Sequence, residues 1–222
     1  MHGHNAEHQN NLPQNFSPYL AADYFADWQD PKIIAFTKSI VKENSTPKEI
    51  AITLYHYIRD HFLYDPFQIS FDKKHMRASE FVNKTSGHCI DKANLLIACA
   101  RQQNIPARYR FANVKNHIGT EKLEVILKTD VLVFHGMAEL FIDGIWIKLT
   151  PAFNKELCIK LNVDPLDFNG NNDAIFQEYN KSGDTFMEYL YDHGTFSALP
   201  LEEITKTFFK TYPHLRNNYS FS

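Results

Sequence analysis

The sequence predicts an α+β fold, helices packed on an antiparallel sheet, and three observations carry that expectation. Residues 46–62 and 85–104 repeat their apolar side chains at helical spacing, each behind a residue able to cap a helix. Residues 131–142 and 145–149 are β-rich runs joined by Asp143-Gly144, the strongest short hairpin signal. Hydrophobic residues make up 44% of 222 positions and aromatics 14%, enough for one sizeable core rather than a disordered chain.

Residues 1–18, MHGHNAEHQNNLPQNFSP, are polar and are expected to form a mobile arm. They lack the basic start and apolar run of a signal peptide. His2, His4 and His8 could meet a metal, but nothing in the stretch fixes their geometry, and no metal or other cofactor is expected. PKIIAFTKSIVKE, 31–43, reads as a helix. The next helix starts at Thr46-Pro47-Lys48-Glu49: threonine caps, proline suits the first turn, and Glu49 can reach back to the backbone. Ile50, Leu54, Tyr57, Ile58 and Phe62 then form its buried stripe, and 64–75 reads as a loop.

Residues 85–111, TSGHCIDKANLLIACARQQNIPARYRF, carry more information. Ser86 or Gly87 can cap; Ala93, Leu96, Ile97 and Ala100 give an apolar stripe; Asn104 with Pro106 ends the helix. Cys89 therefore falls in the first turn, where unpaired N–H groups and the helix dipole favour a thiolate and its pKa is expected to fall. The same N–H groups could hold an oxyanion. A lone cysteine is also read as a small buried hydrophobe, and the helix alone does not separate the two. Cys99 reads as core, Cys158 has no flanking motif, and His88 points about 100° around the helix from Cys89.

ARYRFANV suggests a strand and TEKLEVILK, 120–128, a short helix. The two-residue Asp143-Gly144 turn then fixes a register in which Ile142 faces Ile145, Phe141 faces Trp146 and Glu139 faces Lys148. Leu140, Ile142, Ile145, Ile147 and Leu149 share a dry face. His135, Met137, Glu139, Phe141, Trp146, Lys148 and Thr150 share the other. Continued past Pro151, this register sets His135 opposite Ala152, with Thr150 and Asn154 as diagonal neighbours able to orient its ring. A cysteine at a helix N-terminus, then a strand histidine with a polar neighbour, is the layout a Cys/His nucleophile needs.

SGHCIDKANLLIACARQQNIPARY and HGMAELFIDGIWIKLTPAF together resemble the transglutaminase-like superfamily, over roughly residues 46–154. The first is similar to its cysteine segment, Gly-x-Cys at a helix start with an Ile-Pro-Ala-Arg exit. The second resembles its histidine segment, where a strand, an Asp-Gly turn and Trp lead to Asp-Pro-Thr. The resemblance implies a papain-like core, residues 19–154, with Cys89 as nucleophile and His135 as base. Its aspartate falls on Thr150, which the resemblance places as third catalytic residue, with Asn154 as a further orienter. A hydroxyl accepts from the ring N–H but adds no charge to stabilise an imidazolium. Some bacterial members share Thr-Pro-Ala-Phe-Asn at this place.

Beyond the core, 155–222 reads as a C-terminal extension covering the same domain. Asp167, Asn169, Asn171, Asp173 and Glu178 stand loosely like a calcium loop, but Asn172 occupies the place of its glycine. GDTFMEYLYDHGTFSALPLEEITKTFF reads as two short helices around His193-Gly194. A net charge of -3, without a Lys/Arg run, gives no footprint for nucleic acid or an acidic membrane, and no stretch approaches the ~18 apolar residues of a span. Three sparse cysteines suit a reducing, cytoplasmic setting. The function expected is cysteine-dependent acyl transfer or hydrolysis of a protein or peptide amide through a Cys89 thioester; the alternative is a binding module that kept the core and lost efficient chemistry. The sequence leaves substrate, acceptor and oligomeric state open.

Overall fold

A computed structural model gives the fold, and it describes residues 15–117, 121–175 and 177–218. The predicted arm lies mostly outside those residues. Its last part does not: Phe16 packs on Phe141 with ring centroids 4.6 Å apart, just before the short helix α1 (Ser17–Leu20). In α2 (Pro31–Ile40), Asp30 caps by accepting from the Lys32 N–H at 2.9 Å. The helix stops short of the expected residue 43 because Val41 is already extended. Thr46 and Glu49 form the expected reciprocal cap of α3 (Pro47–His61), Glu49 accepting from the Thr46 N–H at 2.8 Å. The buried stripe is Ile50, Ala51, Leu54, Tyr55 and Ile58; Tyr57 faces outward instead, while the Tyr55 hydroxyl donates to Leu166 O at 2.9 Å.

Two short strands, β1 (Leu63–Tyr64) and β2 (Ser86–Gly87), pair in parallel, with α4 (Ala78–Phe81) between them. Then comes the central helix α5 (Cys89–Gln102), buried on all sides from Cys89 to Arg101 rather than along one stripe. Such burial is tolerable because its polar side chains find partners. Asn94 donates to Phe25 O and Met76 O and accepts from the Tyr109 hydroxyl, and Arg101 donates to Ala21 O, Ala107 O and Ser197 O.

One face of α5 lies on an antiparallel sheet built from β3 (Ala107–Asn116), β4 (Val131–Ile142), β5 (Ile145–Leu149) and β6 (Met187–Phe196), in the order β5-β4-β3-β6. Helix α6 (Glu121–Leu127) precedes β4, and α7 (Lys155–Lys160) follows β5. The hairpin has the register the turn demands: Ile142 faces Ile145, Phe141 Trp146, and Glu139 Lys148. Asp143 and Gly144 both take positive φ, 50° and 90°, as such a turn requires. Ile145 departs from the dry face, being 53% exposed, because the hairpin tip runs past the core.

Two further expectations change. The hairpin ladder ends at Ala138–Leu149, and the Thr150 N–H donates to Ala174 O at 2.7 Å, so His135 does not face Ala152; its partner is Ala112 on β3. Residues 187–196, read as helical, form the edge strand β6, and only Leu201–Thr211 (α8) is helical. Tyr, Thr and Phe favour the strand. Gly194, at φ 81°, sits at a bulge where the β3–β6 register shifts, which hid the alternation. The C-terminal part thus extends the same sheet, and Phe208, Phe209 and Tyr212 join the main core. No helix among the described residues is long and apolar enough to cross a membrane.

Candidate active site

Cys89 opens α5, as its sequence position demands, but the cap is His88 rather than Ser86 or Gly87, which pair in β2 instead. The Asp91 carboxylate accepts from the His88 N–H at 2.9 Å and closes the first turn. The Cys89 side chain points at β4, where the Gly136 N–H donates to Sγ at 3.3 Å. A side chain here would crowd this approach. A Cβ at 136 would lie 3.0 Å from Ile90 Cα and 3.2 Å from Ile90 N.

The thiol is 1% exposed, and its pKa moves opposite to expectation. Burial pushes it up to about 12, outweighing the Gly136, Ile90 and Cys89 N–H groups that lower it; the Asp91 charge adds to the rise. Desolvation of the charged form wins over the helix terminus. Burial likewise lowers His135 to about 4. The site therefore holds a neutral thiol and a neutral imidazole.

A bulge aims His135. Ala112 pairs with His135 and Val114 with Leu132, so Val133 and Phe134 together face Asn113. Phe134 takes φ 52°, a conformation that costs a non-glycine residue about 1–3 kcal/mol and persists only when surroundings enforce it. Here they do: Asn113 Oδ1 accepts from the Phe134 N–H at 3.1 Å, and His193 stacks on the Phe134 ring at 3.9 Å. Bulges re-aim side chains beside functional sites. The sequence carried no sign of this one, because the irregularity lies in how β4 meets β3.

Thr150 and His135 are both buried at 5% exposure, and neither Thr150 Oγ1 nor His135 Nε2 has a hydrogen-bond partner. The threonine does not hold the ring. Asn154 is committed elsewhere: its Oδ1 accepts from the Tyr64 N–H at 3.1 Å and its Nδ2 donates to Glu156 at 2.8 Å, so it fixes Tyr64 and the start of α7 rather than the imidazole. The hairpin ladder ends at Ala138–Leu149, before Pro151, so its register does not extend to the expected diagonals of His135.

His88 is the neighbour that spacing alone missed. Its Nδ1 lies 3.3 Å from Cys89 Sγ. The 100° helical step does not apply, because a cap residue is extended, here at φ -77° and ψ 166°. Burial and then the charge of His135 lower His88 to about 3. Cys89, His88 and His135 line one cavity of about 60 Å³ together with Tyr64, Leu132 and Tyr212. Beneath them Lys92, fully buried one turn after Cys89, donates to Arg59 O, Phe62 O and Ala152 O at 2.6–2.9 Å. It ties the end of α3 and the segment after Thr150 to the helix that carries Cys89.

The remaining sequence candidates fall outside this cavity. Cys99 and Cys158 are buried and free. Asp167 accepts from Arg59, Asn171 from Lys48 and Asp173 from the Lys148 N–H, so that loop's oxygens face protein donors. Among the described residues no three His, Cys, Asp or Glu side chains are grouped to hold a metal. His2, His4 and His8 lie outside the described residues.

No protein of curated function matches the sequence. Among solved structures, that of a candidate cysteine protease from Cytophaga hutchinsonii is similar, at 18% identity and a TM-score of 0.48, covering 84% of this chain and 55% of that one. The chain thus spans about half the length of that protein. A sequence model of the transglutaminase-like superfamily matches residues 34–151, which include α5, the β4 bulge and the hairpin. With more than half of its residues in that match, the chain belongs to the transglutaminase-like superfamily.

Proposed function

We propose that the protein is a cysteine-dependent amide hydrolase or acyltransferase, with Cys89 as nucleophile and His135 as base, acting on a protein or peptide amide. The observation that carries this reading is the convergence of both residues on one cavity, with the Gly136 N–H on the sulfur. Sγ attacks the amide carbon, the carbonyl π electrons move to oxygen, and the thiol proton goes to His135. Collapse of the tetrahedral intermediate breaks the C–N bond, and the amine leaves with that proton, giving a thioester. Water, or an amine, then attacks the thioester; His135 takes its proton and returns it to the departing sulfur. The neutral resting pair makes proton transfer part of the attack.

A second reading, a binding module without efficient chemistry, is favoured by two observations: the thiol raised by burial and the unpartnered Thr150 hydroxyl where the family carries an acid. Incubation with p-nitrophenyl acetate and peptide mass spectrometry separates the two. The enzyme reading expects acetyl on Cys89 that turns over, and a loss of about 10²-fold or more in His135→Ala, the scale of general-base catalysis. Equal, slow acetylation of Cys89, Cys99 and Cys158 would leave the binding module.

A further inference from the structure

Next to the small cavity over Cys89 lies a larger one of about 350 Å³. The two share Tyr64, Pro66, Phe67, Leu123, Leu132 and His135, so they adjoin at the imidazole. The larger cavity reaches His135 but not Cys89 or His88. Its walls come from elements far apart in the chain: Leu123 of α6, Leu132 of β4, Phe153, Leu157 and Leu161 around α7, and Met187 of β6. All but Met187 are half-buried, presenting apolar surface to the space between them. Residues with polar groups in the lining are, besides His135, Tyr64, Asn116, Glu121 and Lys122.

Two physical points identify an occupant. Its volume is within the usual range for a small-ligand site, with apolar walls and few polar groups. His135, buried to 5% exposure, lines this cavity as well as the small one, so the imidazole is common to both. The direction follows from the chemistry. A base that takes the thiol proton returns it to the leaving nitrogen, so that nitrogen lies on the imidazole side and whatever it carries extends beyond the ring.

We propose that this cavity binds the amine half of the substrate, and that the protein acts on amides whose amine component carries a bulky apolar side chain, aromatic or branched. The small cavity over Cys89 takes the acyl half. The proposal rests on the assignment of Cys89 and His135 above, and it adds the side of the scissile bond that is selected and the chemistry selected for.

Partition of the acetyl-Cys89 thioester among amines tests it. The full-length protein is acetylated with p-nitrophenyl acetate in the presence of phenylalanine amide, leucine amide, alanine amide or glutamate amide, and the N-acetyl products are quantified. The expected result is capture by the phenylalanine and leucine amides at least about 10-fold faster than by the alanine amide, the discrimination a hydrophobic pocket gives for missing methylenes. Leu157→Trp or Leu161→Trp should bring that ratio toward one. Equal capture of all four amines, or preference for the glutamate amide, would overturn the proposal while leaving the nucleophile assignment intact. If Cys89 is not acetylated, the assignment fails, and binding decides the subsite by itself. N-acetyl-phenylalanine methylamide added to Cys89→Ala should shift the methyl NMR signals of Leu157, Leu161 and Met187; saturable shifts there support the subsite, and their absence overturns it.

Discussion

Gly136→Ala is the sharpest test of how the fold holds the sulfur. The new Cβ would meet Ile90 Cα at 3.0 Å, Cγ1 at 3.1 Å and N at 3.2 Å. Ordinary carbon contacts lie at about 3.5–4.0 Å. Two of the three atoms are backbone, so no rotamer change relieves them, and α5 must withdraw from β4 by about half an ångström. Overpacking of this kind costs about 1–3 kcal/mol. The same shift lengthens the Gly136 N–H contact to Cys89 Sγ, now 3.3 Å, and carries Cys89 away from His135. A 1 Å misplacement can cost about 10² in rate, so half of that should slow acetylation of Cys89 about 10-fold. Urea denaturation measures the first effect and peptide-resolved acetylation the second. Gly144→Ala serves as control: it sits at φ 90° with no atom within 4 Å, so it should cost about 1–2 kcal/mol of backbone strain and leave Cys89 reactivity alone. If Gly136→Ala were as stable as the parent, or lost stability with unchanged acetylation, the close approach of α5 and β4 would not govern the site.

Lys92→Met removes a donor from three buried carbonyls, Arg59 O, Phe62 O and Ala152 O. Leaving them unsatisfied, less the relieved desolvation of the ammonium, should cost about 3 kcal/mol, with faster amide exchange around 150–154. Stability should also fall with acid. His135 has a folded pKa of about 4 against 6.5 when free, so between those values the unfolded state binds more protons. Stability then drops as pH falls through that window, by at most about 1.4 kcal/mol per unit and roughly 3 kcal/mol in all. Asp91, raised to about 6, acts in the opposite sense below that pH, so the measure is the difference between His135→Gln and the parent in denaturant melts at pH 7 and 4. Thr150→Asp should raise the His135 titration midpoint seen by NMR, and with it the acetylation rate. An unmoved midpoint would mean that position 150 does not face the ring.

Local chemistry made much of the fold legible. The Thr46–Glu49 cap, the Asp143-Gly144 turn and the hairpin register from that turn to Ala138–Leu149 depend on residues close in sequence, and each appears as expected. What stayed hidden depends on meetings between distant segments. Burial of α5 on every side follows from α1, α2, α3, α4, β3 and β4 closing around it, which no stripe in 89–102 announces. The β6 strand was masked by its bulge at Gly194, and the β4 bulge exists only relative to β3. Cys89 and His135 could be found because a helix start and a strand pattern mark them. His88 could have been found too, had the cap been placed one residue later than Gly87.

The same division explains why the site's ionisation reversed. A helix N-terminus and nearby N–H groups are local features, and they do lower the Cys89 thiol. Burial is a property of the whole fold, and here it acts on both partners in the same direction, against the thiolate and against the imidazolium. An ion pair at rest would need a charge near His135 that offsets this, the part an acid plays at the position Thr150 occupies. Without that charge, the neutral pair is the ground state, and stabilisation has to arrive with the reacting amide, whose developing oxyanion the N–H groups can meet. Acetylation of Cys89 should then be nearly flat from about pH 5 to 8, because the His135 imidazole, lowered to about 4, is already neutral there and takes the thiol proton during the attack, and the rate should fall in heavy water. An ultraviolet thiolate absorbance at pH 7 that Cys89→Ala removes would instead mean a preformed thiolate–imidazolium pair, and the burial argument would be wrong.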